Sequence, residues 1–141
     1  MPGRWSSAKL NKCVAVDLAL RCVIVDDSAD FRDAASAMLE RAGFSVVGTA
    51  SNGDEALKCY AELRPDVVLV DVDLGGEDGF EVVERLHHAD ALGALAVILV
   101  STYAESDLVD MIATSSAVGF VQKFALSPEA IRSLLNHRAS R

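Results

Sequence analysis

Two apolar segments of this chain run directly into aspartate. The run 20–25 ends at Asp26 and Asp27, and the run 67–70 ends at Asp71. If the two are parallel neighbouring strands, three carboxylates meet at one edge of a sheet. Carboxylates that close resist joint ionisation, so a stable trio calls for a compensating cation. Hard oxygen donors with room for water suit Mg²⁺. A carboxylate beside such an ion can attack phosphorus and form an acyl phosphate. Two later apolar runs also end in useful groups. Ser101 follows 97–100, and its hydroxyl could donate to a phosphoryl oxygen on Asp71. Lys123 follows 119–122, and its ammonium would offset the carboxylates and hold a phosphoryl group as a point cation. Each has a plain alternative taken singly: solvated strand-end acids, a helix-capping serine, a surface lysine. Their weight comes from falling together at the same kind of strand end.

The elements that must position these residues follow from periodicity. The first strand, from about Leu20 to Asp26, leads to Ser28 as an N-cap. Phe31, Ala35, Met38, Leu39 and Ala42 then recur at helical spacing until Gly43. A second strand covers 44–50. Asn52 with Glu55 forms a capping box, and a second helix with Ala56, Leu57, Tyr60 and Leu63 inward stops at Pro65. The third strand, 67–70, is apolar throughout, as a central strand is. Gly75, Gly76 and Gly79 punctuate the loop after it, and Phe80, Val82, Val83 and Leu86 support a third helix. The fourth strand spans 95–100, a weakly patterned fourth helix 105–115, and a fifth strand 118–122. Ser127 and Pro128 open a last helix with Ile131, Leu134 and Leu135 inward. Such alternation gives a parallel sheet with right-handed crossovers, whose site lies beyond the carboxyl ends of the strands.

Composition agrees. At 141 residues, with 51% hydrophobic and 6% aromatic residues, the chain is one domain with an aliphatic core. A net charge of −8 argues against nucleic-acid binding and against anionic membranes, because phosphate affinity rests on Lys and Arg. Cys13, Cys22 and Cys59 fit no zinc spacing and read as core or surface thiols in a reducing cytosol. Residues 1–18 are expected to be a poorly ordered extension, an expression remnant or the result of an early start codon, leaving 19–141 as the domain. The basic N-terminus has an interrupted apolar run and no cleavage site. His87 and His88 are adjacent on a helix, so they diverge rather than chelate. Near a helix C-terminus they are dipole partners or surface.

The pieces Val25-Asp26-Asp27, the run from Asp71 to Gly79, Ser101-Thr102 and Phe120-Val121-Gln122-Lys123 together resemble the receiver domain of two-component response regulators. The resemblance spans about residues 20–138. It implies a flavodoxin-like (βα)5 fold with strand order 2-1-3-4-5. It implies that Asp71 accepts a phosphoryl group from the phosphohistidine of a sensor histidine kinase. It further implies that Asp26 and Asp27 hold Mg²⁺, with Asp71 and the backbone carbonyl of Asp73 completing the site. Ser101 and Phe120 match the residues that move together on phosphorylation, and Lys123 matches the lysine on the phosphoryl oxygens. The added charge, about −1.5 to −2, would bias the face made by the fourth helix, fifth strand and fifth helix. That face would then control an output domain or partner, with homodimerisation through it as one mode. The chemistry is self-phosphorylation and self-dephosphorylation, not turnover of a separate substrate, in the cytoplasm.

Two positions depart from the pattern. Gly75 stands where proline is common, so a looser loop after Asp71 is expected. Phe124 stands where a cis-proline often follows the lysine, and 124–129 instead resembles receivers carrying a LuxR-like helix-turn-helix output, hence transcription regulation. Two rival readings are an unphosphorylated interaction module of the same fold and a haloacid-dehalogenase-like phosphatase, suggested by Asp71-Val72-Asp73. In that family, however, the Asp-x-Asp motif ends the first core strand, and Asp26-Asp27 has no counterpart. Sustained turnover of p-nitrophenyl phosphate would favour the phosphatase.

Overall fold

A computed structural model describes residues 19–139; the expected extension at 1–18 lies outside the described residues. The strands are β1 (Arg21–Val25), β2 (Ser45–Ala50), β3 (Val67–Asp71), β4 (Ala96–Ser101) and β5 (Gly119–Gln122). Between and after them lie α1 (Ala29–Arg41), α2 (Gly53–Leu63), α3 (Gly79–Ala89), α4 (Val109–Thr114) and α5 (Pro128–Ala139). The sheet has the order β2-β1-β3-β4-β5, and every pairing in it is parallel. Among the described residues no helix is long and apolar enough to cross a membrane.

Alternation along the central strands builds two cores. Val23, Val25, Val68, Val70, Val97 and Leu99 face α2 and α3, meeting Ala56, Tyr60, Val82, Val83 and Leu86. Cys22, Ile24, Val67, Leu69, Ala96, Ile98 and Val100 face α1 and α5, meeting Ala35, Leu39 and Ile131. Burial on both faces is why β3 and β4 are continuously apolar. Burial pushes the Cys22 thiol up to about 12, so it behaves as a small hydrophobe; Cys59 is half-buried on α2.

The helix ends largely follow the local signals. Ser28 Oγ accepts from Phe31 N at 3.3 Å, and Ser127 Oγ from Ala130 N at 3.0 Å. Gly43, at φ 94°, closes α1. The expected capping box is half-formed: Asn52 Oδ1 accepts from Glu55 N. The Glu55 carboxylate reaches one residue further back than the motif requires, taking both Ser51 N and Ser51 Oγ at 2.8 Å.

The fourth helix is shorter than the expected 105–115. Residues Glu105–Asp107 form a 3₁₀ turn, Leu108 breaks it, and α4 runs for six residues without a side-chain N-cap. Leu108 and Ile112 pack on the core, while Val109 and Met111 are about half exposed, at 55% and 47%. What ties the segment down is Glu84 of α3, whose carboxylate accepts from Ser116 N and Ser116 Oγ, both at 2.8 Å.

Gly79 sets how α3 meets the sheet. Its N–H donates to Val72 O at 2.8 Å, and a Cβ there would lie 2.0 Å from the backbone oxygen of Asp71. No side chain fits between the helix start and this strand end. Gly79→Ala is therefore expected to cost about 3 kcal/mol by overpacking, read as a lower urea midpoint at unchanged slope. A loss under about 0.5 kcal/mol would mean the contact is not tight.

Candidate functional site

Register brings the acids together. Val25 pairs with Val70, so Asp26 and Asp71, one residue further, lie side by side. Both continue the alternation that turns Ile24 and Leu69 toward α1 and α5. Val121 of β5 is on the same side, and Lys123, two residues on, returns to it. The Lys123 Nζ consequently lies 2.7 Å from Asp26 Oδ2 and 3.1 Å from Asp71 Oδ2. The ring of Phe31, in the first turn of α1, lies 4.5 Å from the same nitrogen, a cation–π contact.

Asp26 is fully buried. Its Oδ1 accepts from Ser28 N at 2.8 Å, and its carbonyl accepts from Arg32 Nη1 at 2.6 Å. Its Oδ2 meets the ammonium as a charge contact, not an aligned hydrogen bond, so a buried oxygen keeps unpartnered lone pairs. Asp27 is exposed, and Asp71 is 6% exposed at the pocket floor. One oxygen from each of the three acids falls within 4.8 Å of the others. Three hard anionic donors around an unsatisfied oxygen, with an open side for water, fit a small divalent cation. The residues that would hold it are Asp26, Asp27 and Asp71.

Burial in the pocket, against the lowering effect of Lys123 and Asp73 N–H and with the charge of Asp26 adding to it, lifts the Asp71 carboxyl from 3.8 to about 6. For Lys123, burial works against the charged form, but the two carboxylates outweigh it and its pKa is raised. The ammonium is thus a fixed cation.

Ser101 lies one residue beyond Val100, the partner of Asp71, and is 1% exposed. Its Oγ accepts from Tyr103 N at 3.0 Å, so its lone pair caps a turn while its O–H proton is free to be donated. Ser101 continues the alternation of Val97 and Leu99, placing it on the opposite side of the sheet from Lys123. Phe120 is on that side too, half-buried against the core that Leu108 and, on α4, Ile112 complete.

The loop after Asp71 is not loose. Asp73 and Asp78 form an antiparallel bridge, Leu74 N donates to Glu77 O at 3.0 Å, and Leu74 is buried. Gly75 and Gly76 occupy φ 68° and 102°, the left-handed pair a two-residue hairpin turn demands. Proline, locked near −65°, could not occupy this Gly75, so the residue swap goes with a different and ordered turn. Asp73 N donates to Asp71 Oδ1 at 3.2 Å, which puts the Asp73 backbone at the pocket while its exposed side chain accepts from Gly75 N. His87 and His88 stand exposed in the last turn of α3, rings 6.1 Å apart, outside the site. The sequence marks Phe31 only as a helix-face residue and gives no site role to Arg32 or Glu77, because the contacts of Phe31 with Lys123 and of Glu77 with Gly53 join distant elements.

This arrangement is the one expected of a receiver. The chain belongs to the response regulator receiver domain family, which matches residues 22–136. It is 38% identical over 125 residues to the protein-glutamate methylesterase/protein-glutamine glutaminase of Halalkalibacterium halodurans, covering 82% of this chain and 35% of that protein. It is 29% identical to the chemotaxis protein CheY of Thermotoga maritima, covering 82% of this chain and 94% of that one. Among solved structures, the receiver domain of the putative response regulator NarL from Mycobacterium tuberculosis superposes with a TM-score of 0.72 at 29% identity, over 87% of this chain and 98% of that one. The chain spans about a third or less of the length of the methylesterase relatives it matches.

Because the folded Asp71 pKa lies above its unfolded one, the native state holds a proton that the unfolded chain has already lost between pH 4 and 6. In metal-free buffer its contribution to stability therefore falls as pH rises through that window, by on the order of 1–3 kcal/mol. Asp71→Asn carries no such cost. Its Tm should exceed that of the wild type at pH 7 and match it near pH 3.5, and a difference independent of pH would contradict the assignment.

Proposed function

We propose that this receiver takes a phosphoryl group from the phosphohistidine of a sensor histidine kinase onto Asp71 and converts it into a change of the α4-β5-α5 face. The observation that carries the proposal is the convergence of Asp26, Asp27, Asp71 and Lys123 at one strand edge. An Asp71 carboxylate oxygen attacks phosphorus, the donor N–P bond breaks, and the imidazole leaves with its electron pair and takes up a proton. Asp26, Asp27, Asp71 and the Asp73 carbonyl would hold a Mg²⁺, which would supply charge neutralisation of the phosphoryl oxygens. Lys123 supplies a second positive charge, so the transfer needs little else than positioning. The chemistry is stoichiometric and the hydrolysis that reverses it is the domain's own.

Signal transmission follows from the two faces of the sheet. The acceptor and Lys123 lie toward α1 and α5, while Ser101 and Phe120 lie toward α4. Donation of the Ser101 hydroxyl proton to the new phosphoryl oxygens draws its side chain toward Asp71, and Phe120 moves inward behind it. The short α4, without a side-chain N-cap, is a segment of low local stability that offers little opposition. Val109 and Met111 on it make this face a dimerisation or output surface.

Two kinds of output have support. The resemblance of the run 124–129 to receivers that carry a LuxR-like helix-turn-helix supports a DNA-binding output and a role in transcription. The 38% identity to the H. halodurans methylesterase supports an enzymatic output instead. The coding sequence after residue 141 distinguishes them.

Acetyl phosphate with Mg²⁺ should label the wild type at one phosphoryl per chain and leave Asp71→Asn unlabelled; full labelling of the variant would refute Asp71 as acceptor. Lys123→Ala should still bind Mg²⁺ while its NMR shifts on adding beryllofluoride shrink or vanish. An undiminished response would take Lys123 out of the mechanism.

A further inference from the structure

The β3–α3 loop is held from outside by a residue that no other part of the site accounts for. Glu77 Oε1 accepts from Gly53 N at 2.8 Å, the first N–H of α2 and one of the unsatisfied donors of a helix start. Its Oε2 lies 3.8 Å from Arg85 Nη1 of α3, and Arg85 also pairs with Asp54 at 3.0 Å. Gly53 is glycine for this reason: a Cβ there would fall 2.4 Å from Glu77 Oε2 and 2.9 Å from Val82. The carboxylate thus bridges α2 and α3.

On the inner side the same loop touches the metal-binding trio. A Cβ built on Gly75 would lie 2.8 Å from Asp27 Oδ2, so the Asp27 carboxylate rests against the bare α-carbon of Gly75. Asp27 is exposed, and its packing partner here is that α-carbon. Gly76, next in the turn and also left-handed, has nothing near its own Cβ position. Glu77 anchors the hairpin, the hairpin places Gly75, and Gly75 fixes how far the Asp27 carboxylate can swing from Asp26 and Asp71.

We infer that Glu77 is a positioning residue for the divalent-ion site, acting through the Gly53 N–H, the two-glycine turn and the Gly75–Asp27 contact. The inference rests on the receiver reading above and adds to it the residue that sets Asp27. Glu77 touches neither the ion's carboxylates nor the acceptor, so its effect is on affinity and not on the transfer step.

The test is isothermal titration with Mg²⁺, run beside the metal-free Tm and the labelling rate with acetyl phosphate. Glu77→Ala should raise the Mg²⁺ Kd by about tenfold, the lower end of what outer partners of a metal site contribute. Its labelling rate at saturating Mg²⁺ should stay within about twofold of wild type. Glu77→Gln keeps an oxygen for Gly53 N and should restore most of the affinity. Gly75→Ala and Gly76→Ala strain the same turn alike, but only Gly75→Ala presses on Asp27. The former should lose Mg²⁺ affinity well beyond the latter at similar Tm loss. Equal Kd for Glu77→Ala and wild type, or equal affinity losses for the two glycine variants, overturns the inference even if Tm falls. A wild type that binds no Mg²⁺ removes the receiver chemistry and this inference together.

Discussion

The site depends on one ammonium placed between two buried carboxylates. Lys123 lies within 3.1 Å of both Asp26 and Asp71, and without it two buried like charges would face each other. Desolvated charges of one sign are unstable unless paired. The lysine makes the folded apo-domain tolerable but neutralises the pocket only in part. Asp71 remains the acid raised to about 6, and Asp26 Oδ2 remains without a hydrogen bond. The unfinished compensation suits the pocket to one further small cation.

The rest of the fold serves that geometry. A parallel sheet buried on both faces gives the strands no freedom to slip, because a one-residue shift would exchange the two cores. Asp26, Asp71 and Ser101 are therefore fixed by the packing of Ile24, Leu69 and Leu99 behind them. Close approach does the remainder. Gly79 lets α3 begin directly on the Asp71 carbonyl, and Gly75 lets Asp27 lie against the loop. The two sides of the sheet carry different duties: Lys123 and Phe31 hold charge toward α1, whereas Ser101 and Phe120 face the thinly anchored α4.

Much of this was legible in the chain. The five-fold strand–helix alternation, the aspartates at strand ends and the Ser28, Asn52 and Ser127 caps are local signals, written in consecutive residues. The linked motifs are specific enough to resemble one family, and the family match over 22–136 bears that out. The fourth helix was overdrawn because its apolar spacing continues through Leu108, where the backbone breaks to seat that side chain in the core. The Gly75 loop was misread as loose because the missing proline is visible in sequence, whereas the Glu77 bond to Gly53 joins residues 24 positions apart.

What the sequence determined alone is the set of elements and the chemistry at their ends, since periodicity and turn residues act over a few positions. Only the tertiary structure decided which oxygen of Asp26 meets the ammonium, that Lys123 spans two acids over the Phe31 ring, and that a glycine turn is clamped between Glu77 and Asp27. Those are distances between side chains brought together by strand register and helix packing, and no local pattern encodes a distance across a sheet.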